Sequence, residues 1–150
     1  MKVLRNKGFT LIELLIVMGI LALLMMIPIL AFKGMQDEAR STKARGDLRT
    51  LKVAIETYYK NNGNEYPPEN DLLSALQQAS IQIVETDLYD PFGSTSTSPY
   101  GYKLATGDPS TAHYYVLYSK GPNGDGSALI SNTGSVTASN DAIYDSNGYE

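Results

Sequence analysis

The sequence predicts an α+β fold in which one long N-terminal helix packs on a small C-terminal antiparallel sheet. Three observations support this class. An uncharged apolar run covers residues 14–32, and apolar residues then recur at three- and four-residue spacing as far as Tyr58, which is the period of a helix. Short Tyr- and Val-rich segments between Gly, Pro and Asn clusters follow in the second half of the chain, and these are typical of strands and turns.

The apolar run is long enough to predict a membrane span. Its 19 residues would reach about 28 Å as a helix, close to the ~30 Å of bilayer hydrocarbon. The basic residues before it predict a cytoplasmic N-terminus, with everything after the span outside. Pro28 should bend the helix or locally loosen it. A buried core helix is the alternative, whereas a secretory signal peptide is disfavoured because the run is too long and Ala31 precedes Phe32 and Lys33.

Charge divides the chain into four zones. Residues 1–8 hold three basic residues and no acid, and residues 33–60 hold seven basic and four acidic residues. Residues 61–150 hold two basic and eleven acidic residues. We therefore predict four parts, which are a basic leader at 1–8, an apolar helix at 9–32, an amphipathic helix at 33–60, and a head at 61–150 with a small β-sheet and a turn-rich tail.

The elements of the head follow from local signals. The Asn- and Gly-rich segment 61–64 should end the long helix. A short helix is predicted after the capping pair Asn70-Asp71. The remaining predicted elements are strands at 100–104, 113–119 and 127–130, with turns at 90–93 and 121–126 and a polar tail from Ser131.

Composition excludes several classes of site. The chain has no cysteine, so disulfide scaffolds, Cys-based zinc sites and thiol nucleophiles are excluded. Its one histidine, His113, lies in a predicted strand, and the sequence contains no nucleophile triad, phosphate-binding loop or HExxH motif. The net charge of −4 argues against nucleic acid as a partner. We predict that the protein is not an enzyme.

Residues 7–14 read Lys-Gly-Phe-Thr-Leu-Ile-Glu-Leu. This string resembles the class III signal of the type IV pilin and type II secretion pseudopilin superfamily, whose fold has a long N-terminal helix packed on a small sheet. The resemblance implies that a prepilin peptidase cuts between Gly8 and Phe9 and methylates the new amino group of Phe9. It also implies a role in assembly for Glu13, which would neutralise the terminal amine of a neighbouring subunit.

The head is most similar to the major, G-type pseudopilins. Tyr66-Pro67 before a Leu-rich helix, the turn at 90–93 before Tyr100-Gly101-Tyr102, and the segment 119–124 all match that pattern. The resemblance implies a structural subunit of a type II secretion pseudopilus, assembled from the bacterial inner membrane with its head on the periplasmic side. The implied partners are copies of itself, the prepilin peptidase, the inner-membrane assembly platform and the minor pseudopilins.

Two other functions stay open at this point. A type IV pilin for adhesion, motility or DNA uptake often closes a C-terminal loop with a disulfide, and the lack of cysteine favours a pseudopilin instead. A monomeric membrane-anchored binding module would explain the span but not the motif at residues 7–14.

The resemblance also implies calcium in the C-terminal loops, because heads of this family often hold that ion. Carboxylate and carbonyl oxygens in turns suit it. Asn123 stands where the family frequently has an aspartate, and the segment is not an EF-hand. The alternative is that the aspartates only solvate the tail. The candidate ligands are Ser119, Asn123, Asp125, Asp141 and Asp145.

Overall fold

The computed structural model describes residues 8–79 and 88–149, except for the side chains of residues 26–31. The predicted leader, apart from Gly8, lies outside the described residues, as does the side chain of Pro28. The chain divides into two compact units, one up to Glu38 and one from Ala39 onward. Helix α1 runs from Leu11 to Asn61 and contributes to both.

The first unit is the N-terminal part of α1 with the residues before it. Its large apolar side chains are exposed, and Phe9, Leu11 and Met18 are each more than half accessible. Within the part of the chain that the structure describes, no helix is long and apolar enough to cross a membrane. The predicted span includes residues 26–31, whose side chains lie outside the described set, and it stays a prediction.

The second unit contains the rest of the fold and confirms the α+β class. A 3₁₀ turn at Glu69–Asp71 leads into α2, and five short strands follow in the part of the chain that the structure describes. The strands predicted at 100–104, 113–119 and 127–130 are present, the first two one to two residues shorter than predicted. The bounds are α2 Leu72–Gln78, β1 Gly101–Leu104, β2 Tyr115–Ser119, β3 Ser127–Ile130, β4 Val136–Ser139 and β5 Ile143–Ser146.

Strand β2 is the centre of an antiparallel sheet with the order β1-β2-β5. Tyr102 pairs with Leu117 on one side, and Leu117 pairs with Asp145 on the other. Strands β3 and β4 form a separate antiparallel pair. Strand β5, the last of the described strands, therefore lies beside β2.

The side chains of β2 alternate between the two faces of the sheet, and each face packs against an apolar layer. Tyr115 and Leu117 belong to the main core with Leu48 and Ile55 of α1, because successive side chains of a strand point to opposite faces. Val116, between them in sequence, packs instead with Ala128 and Ile130 of β3. Within the second unit the layers are thus α1, the three-stranded sheet, and the β3–β4 pair.

The tail is more ordered than its polar sequence predicts. The sequence predicts a turn-rich tail, but the tail contains β4 and β5. Lys52 Nζ donates to Asp145 Oδ1 at 2.6 Å and to the Ser146 carbonyl at 2.7 Å. The Tyr115 N–H donates to Asn147 Oδ1 at 2.7 Å. Long-range polar partners hold this segment, and local sequence signals do not reveal them.

Candidate functional site

The predicted processing site lies immediately before α1. Residues 8–10 precede the helix and are exposed, and the Phe9 side chain is 84% accessible. Among the described residues, and apart from the chain neighbours of Gly8, no atom lies within 4 Å of the place where a Gly8 Cβ would be. The peptide bond between Gly8 and Phe9 is therefore accessible and outside the helix.

A reciprocal capping box begins α1. The Leu14 N–H donates to the Thr10 carbonyl at 3.3 Å, which makes Thr10 the N-cap residue. The Thr10 N–H and hydroxyl donate to Glu13 Oε2 at 2.9 and 2.8 Å, and the Glu13 N–H donates to Thr10 Oγ1 at 3.4 Å. Our sequence reading missed this contact, although Thr-x-x-Glu before an apolar run is its signature.

Three of the five candidate calcium ligands lie on two exposed loop segments of the head that are joined by hydrogen bonds. The Asn123 side-chain amide donates to Asp141 Oδ2. The amide of Asn140, next to Asp141 in sequence, donates to Asp125 Oδ2 at 3.2 Å. Asn123, Asp125 and Asp141 are all exposed. Two side-chain hydrogen bonds therefore join the loop after β2 to the turn before β5.

The other two candidates have partners elsewhere. Ser119 is fully buried, and its hydroxyl donates to Asp90 Oδ1 at 2.6 Å. Asp145 forms the ion pair with Lys52 of α1. Among the residues that the structure describes, no three His, Cys, Asp or Glu side chains are grouped so that they could hold a metal ion. A cation at this loop would thus need amide or carbonyl oxygens besides the two carboxylates.

Asp90 anchors the loop after β2, which carries Asn123 and Asp125. The sequence predicts only a turn at Asp90. It is 3% exposed. Its carboxylate accepts hydrogen bonds from the Phe92 N–H at 3.0 Å, the Ser119 hydroxyl and the Lys120 N–H at 2.8 Å. These contacts join the turn at 90–93 to the end of β2, where the loop begins.

Two models of known protein families match this chain, one near its start and one over most of the remainder. Residues 4–27 match the family model of the prokaryotic N-terminal methylation motif. Residues 31–133, well over half of the chain, match the model of type II secretion system (T2SS) protein G. The chain belongs to the T2SS protein G family. The sequence-based resemblance to G-type pseudopilins is thereby confirmed.

Several relatives of this chain carry the name type II secretion system core protein G. That of Escherichia coli (strain K12) is 27% identical over 81% of this chain and 85% of its own length. That of Pseudomonas aeruginosa is 28% identical over 80% and 86%, and that of Klebsiella pneumoniae is 29% identical over 80% and 87%. No solved structure is a significant match. The family is one of structural subunits, and the absence of enzymatic activity in this chain stays a prediction.

Proposed function

We propose that this chain is a structural subunit of a type II secretion pseudopilus, which polymerises from the bacterial inner membrane to drive protein export. The observation that carries the proposal is the protein G match over residues 31–133. A deletion strain should lose secretion of exported proteins and keep twitching motility. Loss of motility with intact secretion would favour the type IV pilin alternative instead.

We further propose that a prepilin peptidase cuts between Gly8 and Phe9 and methylates Phe9. The methylation motif at residues 4–27 and the exposure of Phe9 support this. The proposed membrane topology has the N-terminus in the cytoplasm before cleavage and the head on the periplasmic side. Protein extracted from membranes with active peptidase should lack residues 1–8 and carry one added methyl group by intact-mass measurement. An N-terminus at Met1 or Lys2 would contradict this processing.

Glu13 is proposed to act in assembly through its charge, by neutralising the terminal amine of a neighbouring copy. A charge buried in an apolar filament core needs such a partner. Glu13→Gln is the sharpest test, because glutamine can also serve in a capping box but carries no charge. The variant should be cleaved and inserted normally while the filament yield, measured by shearing and electron microscopy, falls sharply. A normal yield would show that the charge is dispensable.

The proposed partners are other copies of the chain, the prepilin peptidase, the inner-membrane assembly platform and the minor pseudopilins. The charge distribution supports contact between copies, because residues 33–60 carry an excess of basic residues and residues 61–150 an excess of acidic ones. The exposed basic residues Arg45 and Arg49 lie on α1, whereas Asp71 and Asp108 are exposed acids of the head. Attraction between these surfaces predicts assembly that weakens as salt increases.

Calcium binding by the head is also a proposal. Asn123, Asp125 and Asp141 offer the oxygen donors that calcium accepts, and their hydrogen bonds with neighbouring amides already bring the two loop segments together. Bound calcium would neutralise the two carboxylates and tie these segments to each other. Ser119 and Asp145 are left out of this ligand set because Asp90 and Lys52 engage their side chains.

Thermal melting tests the calcium proposal. A ligand that binds only the folded state stabilises it by about 2.7 kcal/mol at a hundredfold excess over Kd. The fragment 33–150 should therefore melt at a higher temperature in millimolar calcium than in chelator. Asp125→Ala and Asp141→Ala should remove most of that difference, whereas Asp108→Ala, in a different loop, should retain it. Equal melting temperatures for the unchanged fragment would reject the site.

A further inference from the structure

We infer that the Thr10–Glu13 capping box fixes the start of α1 and so keeps the Gly8–Phe9 peptide bond outside the helix for cleavage. Thr10 and Glu13 are then positioning residues for the processing reaction. The inference rests on the processing site given under Proposed function. It gives Thr10 and Glu13 a role before cleavage, whereas the assembly role proposed for Glu13 applies after cleavage.

The geometry places the boundary of the helix two residues after the scissile bond. Helix α1 begins at Leu11, and residues 8–10 are not helical. Thr10 and Glu13 are joined by three hydrogen bonds, in which each side chain satisfies a backbone N–H of the other residue. Such bonds satisfy N–H groups that the first turn of a helix otherwise leaves without an acceptor. The cap therefore favours a start at Leu11 over neighbouring starts.

Without this cap the helix has an alternative start at the scissile bond itself. Glycine is accepted as an N-cap residue, whereas alanine is strongly disfavoured there and is the best helix former. In a Thr10→Ala chain the N-cap would move to Gly8. The Gly8 carbonyl would then accept a hydrogen bond from the Ile12 N–H, and Phe9 would enter the first turn. The bond to be cut would be coiled, and its carbonyl oxygen would be engaged.

Cleavage kinetics of the full chain in membranes that contain prepilin peptidase test the inference. Thr10→Ala should be cut more slowly, by up to about fivefold, because the ~1 kcal/mol typical of an N-cap changes the ratio of the two helix starts by that factor. Thr10→Ser and Thr10→Asn should be cut at the wild-type rate, because both residues are effective N-caps. In micelles, backbone chemical shifts of the Thr10→Ala chain should show helical values at Phe9, and those of the Ser and Asn variants should not.

Each outcome has a distinct meaning. If the wild-type chain is cut elsewhere than after Gly8, the proposed processing site is wrong. Correct wild-type cleavage with an equally fast Thr10→Ala chain would overturn the capping inference alone. Slow cleavage of both the Ala and the Asn variants would also overturn it, because the peptidase would then recognise threonine directly. If the Thr10→Ala chain shows helical chemical shifts at Phe9 but is cut at the wild-type rate, the start of the helix does not affect cleavage. The inference would then be rejected as well.

Discussion

Asp90 links two loops of the head through neutral hydrogen-bond donors. Its carboxylate is buried and accepts from a hydroxyl and two backbone N–H groups. The Asp-Pro turn was visible in the sequence, but the partner Ser119 lies 29 residues away. No local pattern specifies such a pairing, so the role of Asp90 could not be predicted. The capping box of Thr10 and Glu13 was predictable, because all of its signal lies within four residues.

Asp90→Ala should lower the free energy of unfolding of the 33–150 fragment by about 3 kcal/mol. The change leaves buried donors without an acceptor, and that desolvation is costly. Urea denaturation followed by tyrosine circular dichroism measures the effect. Asp71→Ala is the control, because its side chain is exposed and makes no capping hydrogen bond to α2, and it should unfold near the wild-type midpoint. A wild-type midpoint for Asp90→Ala would contradict the anchoring role.

Two buried tyrosines of the same core should respond differently to loss of the hydroxyl. The Tyr115 hydroxyl donates to Glu56 Oε1 at 2.9 Å, whereas the Tyr102 hydroxyl is buried without a hydrogen-bond partner among the described residues. Tyr115→Phe should cost about 1 kcal/mol of unfolding free energy, and Tyr102→Phe should be neutral or stabilising. The same urea experiment compares the two, and a larger loss for Tyr102→Phe would contradict the assignment.

At the scale of elements, the segment after β2 depends on a close backbone approach. Gly121 has φ +69°, and a Cβ there would lie 2.0 Å from the Asp141 carbonyl oxygen. The turn that carries Asp125 thus packs directly against the turn before β5. Only glycine fits both the positive φ and this contact.

Gly121→Ala should therefore destabilise the 33–150 fragment by about 3 kcal/mol, as the sum of a positive-φ penalty and overpacking against backbone. Gly107→Ala is a matched control, because Gly107 has φ +72° and open space around its Cβ position. It should show only the conformational part, about 1 kcal/mol. Equal losses in the two variants, measured by thermal melting, would show that the contact with Asp141 is absent.

The elements that sequence predicted well are those with strong local periodicity. Helix α1 ends at Asn61, within the predicted Asn- and Gly-rich stop, and β3 matches its predicted range. The sequence does not predict β4 and β5, because half of the residues in each are Ser, Thr or Asp. These residues are turn formers by themselves. Strand β5 forms because β2 and Lys52 provide partners from earlier in the chain.

At the scale of the whole molecule, a chain of aromatic rings runs through the core of the second unit. Tyr59 and Tyr66 lie 4.5 Å apart between ring centroids, Tyr66 and Tyr115 5.2 Å, and Tyr102 and Tyr115 6.1 Å. Burial raises the pKa of Tyr66 to about 12. Burial likewise raises the pKa of Tyr102, and burial together with the Glu56 acceptor raises that of Tyr115.

These shifts predict loss of stability in alkaline solution. A raised pKa in the folded state means that folding favours the protonated phenol. The associated stability is complete below the unfolded pKa of about 10 and is lost as the pH rises toward the folded value. Tyrosinate absorbance should therefore rise in two stages, with the buried rings ionising only as circular dichroism reports unfolding. Ionisation of every tyrosine near pH 10 with the fold intact would contradict this.

The position of β5 beside β2 has a consequence for how the head can misassemble. Strand β5, at Ile143–Ser146, follows β3 and β4 in the chain but pairs with β2. Whenever β5 is not docked, that edge of β2 has no hydrogen-bonding partner, and an unpaired strand edge invites aggregation. Docking of β5 thus closes an edge at which two incompletely folded heads could otherwise pair.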